Sequence, residues 1–147
     1  MCLPYNDEDD DYSTNTVAGD AVLTTVAGWG ATTGTGRLPA NVLQYLSVNV
    51  TNNKECHDIY KERGGELSDL QICAGGAPGK DSCVGDSGSG LMRDIHDQED
   101  YSLRSFLIGV VSFGPRLCGT KGVPGVYTRV NSYLGWILDT VWDMERN

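Results

Sequence analysis

The tetrad Gly85-Asp86-Ser87-Gly88 has the residue types for nucleophilic chemistry. A serine hydroxyl is a poor nucleophile until a base takes its proton and donors hold the oxyanion. Glycine at 85 frees the backbone to turn, so that the N–H groups of Gly85 and Ser87 can point at one spot. Asp86 between them can hold the loop through an ion pair. The four letters alone would arise by chance in a chain of this length about once in several hundred sequences, and they also fit an ordinary turn. Two histidines are available as bases, His57 and His96. His57 follows Cys56 in a polar helical segment and reads as a surface or packing residue. His96 falls in a charged loop, Arg93–Asp100, and the chain between it and Ser87 can carry it up to ~30 Å away. Neither is assigned as the general base.

Composition bounds what else the chain can be. It has 147 residues, the size of one modest domain. Glycine supplies 19 of them, about twice the usual ~7%, which predicts a turn-rich, all-β chain. Twenty acidic and 11 basic side chains give a net charge of −9. That excludes a nucleic-acid or anionic-membrane surface, where clustered Lys and Arg are needed. No run approaches the ~18 apolar residues that cross a bilayer. Hydrophobic residues at 39% and charged ones at 21% exclude overall disorder.

The five cysteines, Cys2, Cys56, Cys73, Cys83 and Cys118, contain no CxxC pair, and two histidines complete no zinc spacing. They could be buried thiols; structural disulfides, and hence an oxidising compartment, are the stronger reading. Asn49-Val50-Thr51 is a glycosylation sequon, a triplet common by chance. Residues 1–20 carry no basic and apolar leader; they hold the run Asp7-Glu8-Asp9-Asp10-Asp11 instead, read as a solvated loop. The odd cysteine asks for a partner elsewhere. Both features are expected if sequence belongs upstream of Met1.

The elements that must carry the tetrad follow from periodicity. Val22 to Trp29 is a strand candidate, closed by Gly28-Trp29-Gly30 and a Thr/Gly-rich turn at 31–36. Leu46, Val48 and Val50 alternate with polar residues, as in a half-buried strand. Residues 53–63 have a short helical pattern with Cys56, Ile59 and Tyr60 on one side. A glycine-rich stretch spans Gly75 to Gly90, with Leu91-Met92 a strand leaving it. Phe106 to Phe113 is a nearly continuous apolar run, predicted as a buried strand, and Val123 to Val130 another. Asn131 or Ser132 can cap a C-terminal helix whose Tyr133, Trp136, Ile137, Val141 and Met144 would lie on a β core.

The tetrad stands among further motifs. Cys2-Leu3-Pro4, Ala27-Gly28-Trp29-Gly30 and Ile72-Cys73-Ala74-Gly75-Gly76 come before it, and Gly79-Lys80-Asp81-Ser82-Cys83 leads into it. Val111-Ser112-Phe113-Gly114, Cys118 and Pro124-Gly125-Val126-Tyr127 follow. In this order the motifs resemble the trypsin/chymotrypsin family of serine endopeptidases, and within it the arthropod clip-domain proteases. The resemblance runs from Cys2 to about Trp142. It covers the second half of the family's protease domain, two six-stranded barrels with the active site between them. The family's Ala-Ala-His-Cys segment and its catalytic Asp have no counterpart in these residues.

The resemblance implies a role for each matched position. Ser87 would be the nucleophile, and the N–H groups of Gly85 and Ser87 the oxyanion hole. Asp86 resembles the aspartate that pairs with a new N-terminal amine after zymogen cleavage. Asp81 resembles the base of a specificity pocket for Arg or Lys, with Ser82 beside it and Gly114 and Gly125 as its walls. A buried carboxylate there is costly unless a cation meets it. Ser112 to Gly114 would pair in β fashion with the substrate backbone. Bridges are implied for Cys56–Cys73 and Cys83–Cys118, each worth roughly 3–4 kcal/mol on the chain-entropy estimate. Cys2 resembles the cysteine that joins the protease domain to an upstream light chain or clip region. Pro124 stands where members with a sodium site carry an aromatic, so no metal and no cofactor are expected. The family's Gly-Pro after Ser-Gly is replaced by Ser89-Gly90, a change that could perturb the loop behind the nucleophile.

The expectation is therefore an all-β chain. Residues 1–20 would be an inter-barrel segment and acidic loop, 21–130 the C-terminal six-stranded antiparallel barrel, and 131–147 the terminal helix. The function implied is that of a secreted trypsin-like endopeptidase, with polypeptide substrates cut after Arg or Lys by acyl transfer through Ser87. The chain by itself would be inactive for want of the His and Asp. The alternative is a non-catalytic homologue that binds partners in a protease cascade.

Overall fold

The computed structural model describes residues 2–4, 22–96 and 102–145. The acidic run at 7–11 and most of the segment 1–20 lie outside the described residues. Six strands close into an antiparallel barrel: β1 Leu23–Gly28, β2 Gln44–Thr51, β3 Gln71–Gly75, β4 Gly90–His96, β5 Leu103–Phe113 and β6 Pro124–Arg129. Around the barrel the order is β1-β2-β3-β6-β5-β4, with β4 returning to β1. Helix α1, Asn53–Lys61, joins β2 to β3, and α2, Leu134–Glu145, ends the chain.

Alternation builds the interior. Val26, Val48, Ile72, Ala74, Leu91, Ile108, Val111 and Tyr127 form one buried cluster. Gly109 sits inside it for lack of room: a Cβ there would meet the Tyr127 Cβ at 3.1 Å. A second cluster gathers Cys56, Tyr60, Cys73, Val123 and Val126 around the base of α1. The Asn52 side chain caps this helix by accepting from the Lys54 and Glu55 N–H groups. Cys56 and Tyr60 are its buried residues and Ile59 packs beside them, as the helical pattern predicts.

Four sequence expectations change. The run Arg93–His96 is strand, not loop: β4 continues to His96, paired with β5 from Gly90↔Val110 to His96↔Leu103. Cross-strand partners stabilise its polar residues; the Ser105 hydroxyl donates to Asp94. β3 was not expected as a separate strand. Phe106–Phe113 is only partly buried: Ile108, Gly109 and Val111 reach the core, Phe106, Leu107 and Val110 are half-buried, and Ser112 and Phe113 are exposed at the strand's end, with the Phe113 ring edge-on to Tyr60. The terminal helix begins at Leu134, after a 3-10 turn over Val130–Tyr133 that contains both proposed caps, Asn131 and Ser132. Its Trp136 (68% exposed) and Val141 (47%) face away from the β core rather than onto it.

Candidate active site

The tetrad occupies the link between β3 and β4. Gly85 has φ +99°, a backbone region that a side chain would strain, and its Cα side lies against Gly30. The loop is tied on alternate residues. The Asp86 N–H donates to the Cys83 carbonyl (2.9 Å) and the Gly88 N–H to the Val111 carbonyl (3.0 Å). Among the described residues the N–H groups of Gly85 and Ser87 donate to no protein acceptor. Two unpaired donors thus flank the exposed Ser87 side chain.

Asp86 points the other way, into the protein. Its carboxylate accepts from the Gly30 N–H (2.7 Å) and the Cys83 N–H (2.9 Å). Gly28 and Gly30 make the seat: a Cβ at either would overlap this carboxylate. The sequence marks the two glycines as a strand end and as part of the motif Ala27-Gly28-Trp29-Gly30, without this role. Beside the carboxylate a cavity of about 230 Å³ is lined by Gly28, Gly30, Gln44, Tyr45, Asp81 and Asp86.

Asp81 lies partly buried six residues upstream of Ser87. Desolvation pushes its pKa up; bonds from the Gly119 N–H (3.0 Å) and the Ser82 backbone act against that shift without cancelling it. Gly125 presses closely on the carboxylate, since a Cβ there would stand 3.0 Å from Asp81 Oδ1; Gly114 lies on its other side, where a Cβ would be in ordinary contact at 3.9 Å from Oδ2. Tyr127 completes this corner, with its hydroxyl 3.5 Å from Ser82 Oγ. Burial pushes the Tyr127 and Tyr60 hydroxyls up to about 12, and the Asp81 charge adds to the shift, so both stay protonated at neutral pH. The sequence assigns Gly119 and the two tyrosines no role at this corner: Tyr60 lies on α1 and Tyr127 on β6, and only the closed barrel brings their charges and hydroxyls to Asp81.

A separate cleft of about 230 Å³ joins Ser82, Ser87, Ser112, Gly114 and Arg116. β5 forms one side of it. Its partner β4 stops opposite Val110, while β5 runs on to Phe113, so residues 112–114 leave a strand edge beside Ser87. Both implied bridges are present, Cys56–Cys73 and Cys83–Cys118. The second joins the Ser87 loop to the segment at Cys118 that also lines the cleft. Cys2 has an exposed free thiol, and its backbone bonds to Ser105 and Leu107 on β5. Asn49 is exposed on the outer face of β2. His57 lines a groove on α1 with Lys61 and Leu67, away from Ser87; the side chain of His96 lies outside the described residues. Ser89-Gly90 fits without disruption: the Ser89 N–H donates to the Asp86 carbonyl, its own carbonyl accepts from Val111, and Gly90 opens β4.

A closed β barrel with a terminal helix, a serine between free amide donors and a walled aspartate define a trypsin-like serine protease barrel. The trypsin family model matches residues 7–137, and the chain belongs to that family. CLIP domain-containing serine protease B15 of Anopheles gambiae is 40% identical over 146 residues, covering 99% of this chain and 36% of the relative. CLIP domain-containing serine protease HP8 of Bombyx mori is 41% identical over 138 residues, 94% of this chain and 34% of its own length. Phenoloxidase-activating factor 3 of Holotrichia diomphalia is 39% identical over 141 residues, 96% of this chain and 36% of its own length. The chain thus spans about a third of the curated relatives it matches.

Proposed function

We propose that this chain is the nucleophile-bearing barrel of a secreted trypsin-like endopeptidase that cuts polypeptides after Arg or Lys. Residues 21–130 would be the C-terminal barrel, 1–20 the segment that leads in from a first barrel, and 131–147 the closing segment that contains α2. The observation that carries the reading is Asp81: a carboxylate with a raised pKa, walled by glycines, next to the loop of Ser87. A guanidinium or ammonium entering there offsets the cost of burying that charge.

Ser87 Oγ attacks the carbonyl of the bond that follows the basic residue. The N–H groups of Gly85 and Ser87 bind the oxyanion, the amine leaves, and water hydrolyses the acyl-enzyme. The base is a His, oriented by an Asp, from the upstream barrel, and without it the 147-residue chain has only residual catalysis. Asp86 takes a new N-terminal amine through the cavity beside it, which couples activation cleavage to the shape of the Ser87 loop. Cys2, exposed and pinned to β5, bonds to a cysteine of an upstream light chain or clip region. Asn49, exposed away from the cleft, carries an N-glycan. The names of the relatives favour a step in a protease cascade. A non-catalytic homologue is the competing reading, and its one support, Ser89-Gly90, is absorbed by the loop's own bonds.

The test uses the full-length activated protein on matched peptides with Arg, Lys or Gln before the cut. Wild type should cleave the first two, and Asp81→Gly should lose that preference. Continued preference for Arg in Asp81→Gly would remove Asp81 from the pocket.

A further inference from the structure

The two bridges stand in different surroundings. Cys56 and Cys73 belong to the buried cluster at α1 and are 0% and 2% exposed. Cys83 and Cys118 are half-buried, and both line the Ser87 cleft. In thiol–disulfide exchange an attacking thiolate must reach a sulfur, so access decides which bridge opens. The accessible bridge also joins two links rather than two strands: Cys83 lies between β3 and β4, and Cys118 between β5 and β6. Its opening removes no strand pairing. Each of its cysteines adjoins a donor that holds one of the site's carboxylates. The Cys83 N–H donates to Asp86 (2.9 Å), and the Gly119 N–H, one residue after Cys118, donates to Asp81 (3.0 Å). Cys83 Sγ lies 3.6 Å from the Thr33 carbonyl, so a freed Cys83 thiol has an acceptor in place.

We propose that Cys83–Cys118 is a redox switch on the Ser87 cleft, opened by a dithiol reductant while the barrel and Cys56–Cys73 stay intact. A thiolate of the reductant attacks Cys118 Sγ, and the electron pair of the broken S–S bond leaves with Cys83. The Cys83 thiolate takes a proton, and its S–H donates to the Thr33 carbonyl. The second thiol of the reductant, as its thiolate, then displaces Cys118 from the mixed disulfide, and Cys118 takes a proton in turn. Two electrons pass in all: the protein disulfide becomes two thiols, and the reductant dithiol becomes a disulfide. The freed links no longer hold the Cys83 and Gly119 N–H groups in place, so the Ser87 loop and the Asp81 corner lose their shape. The inference rests on the proposed cation pocket at Asp81 and adds control of that pocket by redox state.

Stepwise reduction of the activated full-length protein with dithiothreitol tests it. Free thiols are trapped with iodoacetamide and located by peptide mapping, while fluorescein-labelled agmatine, the decarboxylated arginine, reports on the Asp81 corner. Cys83 and Cys118 should be trapped at least about ten times faster than Cys56 and Cys73. Agmatine affinity should fall about ten-fold in step with them, as when a hydrogen bond to a charged group is lost. Circular dichroism should stay unchanged, and glutathione disulfide should restore binding. Cys83→Ser/Cys118→Ser should bind agmatine weakly from the start and ignore dithiothreitol. Earlier opening of Cys56–Cys73, unchanged affinity once Cys83–Cys118 has opened, a loss that reoxidation does not reverse, or a full dithiothreitol response in the double variant would overturn the inference and leave the pocket intact. An oxidised wild type that binds no agmatine would overturn the pocket reading, and this inference with it.

Discussion

At the residue scale, two carboxylates five positions apart are held in different ways. Asp86 accepts one N–H on each oxygen, from Gly30 and Cys83, and keeps lone pairs for a further donor, while desolvation raises the Asp81 pKa against the bonds from Gly119 and Ser82. The folded state binds the Asp81 proton more tightly than the unfolded chain, so stability falls as pH rises from 3.8, the unfolded value, through the raised folded pKa. Asp81→Asn should therefore raise Tm at neutral pH, and the gain should vanish below about pH 3.8 in thermal melts across pH. A Tm that drops at neutral pH would contradict this. The same shift makes binding of arginine-like ligands fade as pH falls through the raised pKa. For Asp86 the matching change is Gly30→Ala, whose Cβ collides with the carboxylate. It should cost about 1–3 kcal/mol in urea unfolding, as overpacking does, and should weaken ligand binding at Asp81 as the loop shifts.

At the scale of elements, the site depends on what ends where. β4 stops short of the end of β5, and the uncovered edge is the wall that a peptide can join. The Cys83–Cys118 bridge holds that wall to the Ser87 loop. Replacing both cysteines by serine should cost about 2–4 kcal/mol in denaturant unfolding and loosen the cleft. On the other side of the barrel, Asn52→Ala removes the α1 cap and should cost about 1 kcal/mol, with ligand affinity at Asp81 unchanged. Much of this was legible in the sequence. Val26 and Val48 alternate cleanly, and the Cys56–Tyr60 stripe fixed the inward side of α1. β4 was legible only at Leu91-Met92, because Arg93 and Asp94 are stabilised by cross-strand partners that no local pattern reveals. β3 is short and ends in Gly75, so its strand character comes from pairing with β6. Trp136 and Val141 have helical spacing, but periodicity does not say which surface a helix faces, and the barrel is not what they cover.

At the scale of the whole molecule, the proposed enzyme divides its parts: this barrel presents Ser87, its amide donors and the Asp81 corner, and a second body would supply the base. The chain's span of about a third of its relatives fits that division of labour. The central claim is that Ser87 becomes a working nucleophile in the full-length protein. A fluorophosphonate probe, followed by peptide mapping, reads this directly, because the serine reacts only with a base in place. The account predicts one adduct, on Ser87, in the activated full-length protein, with none in Ser87→Ala and none on the 147-residue chain alone. An activated full-length protein that leaves Ser87 unmodified would contradict it.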